Sequence, residues 1–91
     1  MPVTYSVGLP VLMSLPSNDH PTLTVGALHR DLYDYDFDEL CEDVRLNGIN
    51  KPLRVVNGVL VDGHHRAIIA KELGLTCVPV EYSGTLDKLP H

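Results

Sequence analysis

The clearest pattern of apolar and polar positions lies between Asp36 and Gly48. Phe37, Leu40, Cys41 and Val44 recur at i, i+3, i+4 and i+7, which makes one apolar stripe on a helix. Asp36 stands before the stripe as an N-cap, with Glu39 three residues later as in a capping box. The acids come early and Arg45 late, which suits the helix dipole. Gly48 is a natural stop, and Pro52 prevents continuation.

The pattern then changes period. Leu53–Val56 and Val59–Val61 are short β-branched runs around Asn57-Gly58, residue types that accept the positive φ of a tight hairpin. Asp62-Gly63 ends the second run. A second helix is expected over about His64 to Leu73, packing through Ala67, Ile68, Ala70 and Leu73 and ended by Gly74. Val78–Tyr82 reads as a last strand, with Pro79 near its start or on an edge. Toward the N-terminus, Leu23, Val25, Ala27 and His29 alternate as in a strand. Residues 1–21 hold four prolines and one glycine, so no firm state is assigned beyond a short strand at Val11-Leu12-Met13. This arm is expected to wrap the domain or to act as an edge. The expectation is a small single-domain α+β protein, a mixed sheet with two main helices. It divides into an N-terminal arm (1–22), a folded domain (23–82) and a loose polar tail (83–91).

Bulk properties bound the function. With 91 residues the chain buries a modest core and gains stability from a ligand, a partner or a second copy, so a homodimer is a candidate. A net charge of −5 argues against a general grip on DNA or RNA but leaves room for a small basic pocket. Cys41 and Cys77 sit in apolar contexts and read as core thiols in a reducing compartment. No signal segment and no apolar run of membrane-spanning length is visible, so a soluble cytoplasmic protein is expected, with no membrane partner.

Candidate chemistry lies at the junction Asp62-Gly63-His64-His65-Arg66. A helix start presents unpaired amides and partial positive charge. Glycine lets an anion approach the backbone, arginine offers a planar fork for phosphate oxygens, and histidine can donate or accept. Together they form a reasonable anion site. The plain alternative is that Asp62 caps the helix, Gly63 makes a turn and the rest are solvated. Positive charge in a first turn opposes the dipole, however, so helix stability gives no reason for it. Adjacent histidines diverge around a helix, so a protein-ligated metal is not expected; Mg2+ held through a bound phosphate is the candidate cofactor. His65 or His64 is a candidate general base, with Asp62 in support. The acidic stretch Asp31–Asp43 reads as a solvated face, with Tyr33, Tyr35 and Phe37 packed beneath the first helix. Lys51, Arg54 and Lys71 are candidates to extend a basic patch from Arg66.

The series Gly48-Ile49-Asn50-Lys51-Pro52-Leu53, the hairpin, Asp62-Gly63-His64-His65-Arg66-Ala67, Ala70-Lys71-Glu72-Leu73-Gly74-Leu75 and Val78-Pro79-Val80 resembles the ParB N-terminal domain and sulfiredoxin superfamily over about Leu23 to Tyr82. That resemblance implies nucleotide chemistry. Gly63, His64, His65 and Arg66 would contact phosphates, and Asn50 and Lys51 would approach the ligand from the other side. Where sulfiredoxin has a nucleophilic Cys this chain has His64, which argues against sulfinic-acid reduction. Where ParB proteins have Glu and a second Arg it has His64 and His65, which leaves CTP preference and metal handling open. The expected function is therefore binding of a nucleotide or other phosphate ligand, with NTP hydrolysis as a candidate activity. The alternatives are a ParB-like nuclease acting on DNA, or a non-catalytic regulatory protein of a phage or mobile element.

Overall fold

The computed structural model describes residues 3–83. Four strands form one sheet in the order β1-β4-β2-β3: β1 (Val3–Gly8), β2 (Leu53–Val56), β3 (Val59–Asp62) and β4 (Cys77–Ser83). β1 and β3 run antiparallel to β4 and β2 respectively, and β2 runs parallel to β4. Three helices accompany the sheet: α1 (Leu9–Ser14), α2 (Phe37–Asn47) and α3 (His64–Leu73). The expected α+β class with a mixed sheet holds, with α1 as a third, short helix.

The second half of the chain follows its pattern. Asp36 caps α2 by accepting from the Asp38 amide, and Gly48 ends the helix at φ +73°. Asn57 and Gly58 take φ of +51° and +80°, the left-handed pair that closes the β2–β3 hairpin. Gly74 ends α3 in the left-handed region. Phe37 and Val44 of α2 are buried, as are the four consecutive residues Ala67 to Ala70 of α3. They enclose a core with Leu53, Val55 and Leu60 of the hairpin and Val78 and Val80 of β4.

Pro79 sits in a central strand, which its missing N–H would normally forbid. The Asn57 amide donates to the Ser83 carbonyl at 3.1 Å, so Ser83 turns its backbone groups toward β2. Alternation along β4 turns those of Glu81 and Pro79 the same way. The β2 ladder begins only at Val80, so Pro79 lies where no partner needs its amide.

The first half follows expectation in one respect and departs from it in others. The arm acts as an edge: it supplies β1, where the sequence assigns no firm state, paired with β4 over its whole length. Val11, Leu12 and Met13 belong to α1 rather than to a strand; Pro10 in its first turn fixes a φ that suits helix entry, and Leu12 reaches the core. Leu23–His29 is not a strand either. A 3-10 turn spans Val25–Ala27, and the fully buried residues are Val25 and Leu28, three apart rather than alternating. Of the two cysteines, half-buried Cys41 packs against the core, whereas Cys77 is exposed and not a core thiol; both are free. The expected polar tail falls on residues 84–91, outside the described residues, whereas Ser83 ends β4. Among the described residues no helix is long and apolar enough to cross a membrane.

The outer edge of β3 is covered by the chain itself. The Leu60 amide donates to the Pro16 carbonyl at 3.0 Å, and the Asn18 amide donates to the Leu60 carbonyl at 2.9 Å. Ser17 thereby pairs parallel with Leu60, and its hydroxyl, fully buried, accepts from the amides of Asp19 and His20. This contact carries residues 16–20 to the start of α3.

Candidate functional site

β3 ends at Asp62 and α3 begins at His64, so the junction is a single glycine. Gly63 is the helix N-cap at φ +93°, ψ +21°. A Cβ there would stand 2.8 Å from Leu53 Cγ and 3.2 Å from its Cα, so the glycine has a packing reason as well as the close approach it offers a ligand. Asp62 is not the cap: its carboxylate accepts from the Gly63 amide at 2.9 Å. No side chain caps α3, and no acid stands in its first turn. The Ala67 amide donates to the Gly63 carbonyl, which starts the helical ladder and leaves the amides of His64, His65 and Arg66 ahead of it.

These residues line an open depression of about 210 Å³, together with Asp19, Val61 and Asp62. Arg66 is half-buried, and among the described residues its guanidinium has no ion-pair or hydrogen-bond partner. Asn50 and Lys51 are exposed on the loop between α2 and β2 and are not among the lining residues. Lys71 is not part of a basic patch: its Nζ donates to the carbonyls of Gly26 at 3.1 Å and Leu28 at 2.6 Å.

The two histidines have different surroundings. His64 is only 6% exposed, with Nδ1 3.4 Å from Asp19 Oδ2. Its Nε2 is buried without a hydrogen bond among the described residues. Burial pushes its pKa down, against the opposing pull of Asp19. His64 thus points its ring into the protein and offers the depression mainly its backbone amide. His65 is half-buried among aromatic rings. Tyr35 stacks on it at 4.1 Å and 19°, while Tyr33 and Phe37 meet it edge-on at 4.9 and 5.4 Å. Burial lowers its pKa as well; Asp19 opposes this and Arg66 adds to it. Both shifts favour the neutral imidazole.

Sequence reasoning missed Asp19 and Tyr33. The Tyr33 hydroxyl donates to Asp19 Oδ2 at 3.2 Å, so this one oxygen faces both Tyr33 and His64. Burial and then the Asp19 charge push the Tyr33 pKa up to about 12. The nearest local signal was Ser17-Asn18-Asp19, a run that favours side-chain-capped turns. Of the expected aromatic packing, Phe37 is buried under α2, but Tyr35 is 48% exposed and stacks on His65. A second depression, of about 430 Å³, is lined by Tyr35, Asp36, Glu39, Leu40 and Asp43. Among the described residues no group of His, Cys, Asp and Glu has the arrangement of a metal site.

No family model and no curated protein matches the sequence. Solved structures do match. A Pnob8-like ParB N-terminal domain aligns with 93% of this chain and 31% of its own, at a TM-score of 0.67 and 20% identity. Sulfiredoxin from Arabidopsis thaliana aligns with 92% of this chain and 88% of its own, at a TM-score of 0.64 and 18% identity. The chain thus spans about a third of the ParB structure but nearly all of the sulfiredoxin. With identities this low the likeness concerns architecture alone, and by that measure the chain has a ParB/sulfiredoxin-like fold.

Proposed function

We propose that the start of α3 binds the phosphate of a nucleotide or a similar phosphate ligand. The observation that carries this reading is the uncapped helix start beside Arg66. Three first-turn amides and one guanidinium border the same depression, and among the described residues no side chain caps the amides or pairs with the guanidinium. A phosphate would satisfy the amides, gain from the dipole and pair with the Arg66 fork. The structural likeness to a ParB N-terminal domain and to sulfiredoxin supports it as analogy of fold.

Asp19 and Asp62 border the same depression and repel a bare polyphosphate. A ligand that brings Mg2+ offsets that repulsion, so the metal enters with the nucleotide rather than as a resident ion. The roles of Gly63, His65 and Arg66 in binding rest on their places along the rim. The part given to Asn50 and Lys51 rests on the resemblance in sequence alone. Turnover needs a base, and His65 is the candidate that borders the depression in its neutral form; the ring of His64 is buried.

The test is titration with ATP, ADP and CTP, with and without Mg2+, on wild type and Arg66→Ala. Saturable binding to wild type is expected, weakened about tenfold or more by loss of the charged hydrogen bonds. Absence of binding to wild type under every condition rejects the reading.

A further inference from the structure

Several rings gather beside the start of α3. Tyr33, Tyr35 and Phe37 surround His65, and His20 meets Tyr33 edge-on at 5.5 Å. Phe37 is buried and His20, Tyr33 and His65 are half-buried, but Tyr35 is exposed. His65 lines the depression at the helix start, and Tyr35, stacked on it, lines the second depression. One ring pair therefore joins the two rims. The rest of the second depression is Leu40 and the carboxylates of Asp36, Glu39 and Asp43. Building on the phosphate reading of α3, we propose that the second depression takes the base of the same nucleotide, stacked on Tyr35. Its carboxylates select a base with an exocyclic amine, as adenine and cytosine have.

An exposed tyrosine face suits any planar base, because every base has a π-face. Selection among bases then falls to the carboxylates, which when ionised only accept hydrogen bonds. Adenine and cytosine hold out an amine where hypoxanthine and uracil hold out a carbonyl oxygen. The amine donates to a carboxylate, whereas the carbonyl sets acceptor against acceptor. Two of the three carboxylates are partly engaged. Asp36 Oδ1 accepts from the Asp38 amide at 3.1 Å, and Asp43 Oδ1 accepts from Asn47 Nδ2 at 3.0 Å. Glu39 has no hydrogen bond or ion pair among the described residues. It does not reach back to the Asp36 amide, as a capping-box glutamate would, so its carboxylate is the one left to meet a ligand.

An organic cation also suits a ring beside carboxylates. Continuity with the helix start favours the base. The two joined depressions are opposite in character, with amides and Arg66 in one and carboxylates around a ring in the other. A nucleotide with an amino-bearing base has an anionic end for the first and a planar donor end for the second. A lone cation leaves the α3 amides and Arg66 without a partner.

Calorimetric titration of the full chain with ATP, ITP, CTP, UTP and inorganic tripolyphosphate, all with Mg2+, separates the two readings. Tripolyphosphate engages the phosphate site alone. ATP and CTP are expected to bind about tenfold tighter than tripolyphosphate through the stacked ring. They should also bind about tenfold tighter than ITP and UTP respectively, through the amine. Tyr35→Ala should remove the first margin and Glu39→Gln should shrink the second; both side chains are exposed, so neither change disturbs the core. Adenosine, which has no phosphate, should shift the Tyr35 ring protons by NMR in wild type, and inosine should do so less. ATP that binds no tighter than tripolyphosphate overturns the proposal and leaves the phosphate reading standing. Equal binding of ATP and ITP overturns it too, as does agmatine that shifts the Tyr35 ring as strongly as adenosine, which would make the depression a cation site. Adenosine held at Tyr35 with no binding of tripolyphosphate supports the base site and rejects the phosphate reading.

Discussion

Residues 53–74 and residues 15–35 meet at the start of α3, and different forces hold them there. The first stretch is locally determined. A hairpin with two positive-φ residues leads to one glycine and then a helix, and each step is fixed by backbone bonds within a few residues. The second stretch holds only two short 3-10 turns and is tied down from a distance. Lys71 holds the carbonyls of Gly26 and Leu28, Arg30 forks onto Glu72, and Leu60 bonds with Pro16 and Asn18. The Arg30 guanidinium also lies over the Phe37 ring, 5.2 Å from its centre. A rigid half presents the amides, and a tethered half brings Asp19, Tyr33 and Tyr35 against them. A lid or a specificity element is more readily built from the second kind of segment, whose local stability is lower.

Breaking the locally determined half should have the largest effect. Gly63→Ala combines a left-handed φ with a Cβ driven against Leu53. The expected loss of stability is about 3 kcal/mol, read from denaturant midpoints at unchanged m-value. Because the obstruction is the Leu53 backbone as well as its side chain, Leu53→Ala should not rescue it.

The tethered half should yield more gently. Lys71→Met keeps the stem and removes the ammonium from two carbonyls, at a cost of about 2 kcal/mol. Hydrogen exchange should then rise over residues 24–32 before it rises in α3. Uniform acceleration over both halves would mean that they unfold as one unit and that the contrast drawn between them is wrong.

Acid should act most weakly, and in two separate windows. His64 and His65 both titrate below the ordinary 6.5 because burial disfavours their charged forms. The unfolded chain therefore takes up protons that the folded chain resists, and stability rises with pH through that window. Stability is full above about pH 6.5 and falls as pH drops below it, by a few degrees of Tm on the order expected for a small domain. Glu72, held low by the Arg30 fork, adds a separate loss below its own ordinary value of 4.5. His64→Gln should remove the His64 share of the upper window, leaving that of His65, and leave the lower one unchanged.

The two halves also differed in how far the sequence revealed them. Phe37, Leu40, Cys41 and Val44 announced α2, Asn57-Gly58 announced the hairpin, and Gly74 marked the end of α3. Those signals work because the forces behind them are local. β1 gave little sign, since an edge strand in which Val7 is the buried residue among those described lacks the alternation of a half-buried strand. Leu23–His29 misled because alternation in sequence carries no information about the 3-10 turn that Lys71 and Leu15 impose from elsewhere. At the candidate site, Gly63 to Arg66 were legible as a helix start. Asp19 was not, because the contact that brings it there is the pairing of Ser17 with Leu60 far along the chain. The different environments of the adjacent His64 and His65 were equally hidden, since they follow from which ring faces Asp19 and which meets Tyr35.

Nucleotide titration read at individual backbone amides by NMR decides whether a phosphate sits on the start of α3. Saturable shifts are expected, largest at the amides of His64, His65 and Arg66, stronger with Mg2+, and lost together in Arg66→Ala. Shifts centred elsewhere, or none at any of these three amides in folded wild type, would contradict a phosphate at that place.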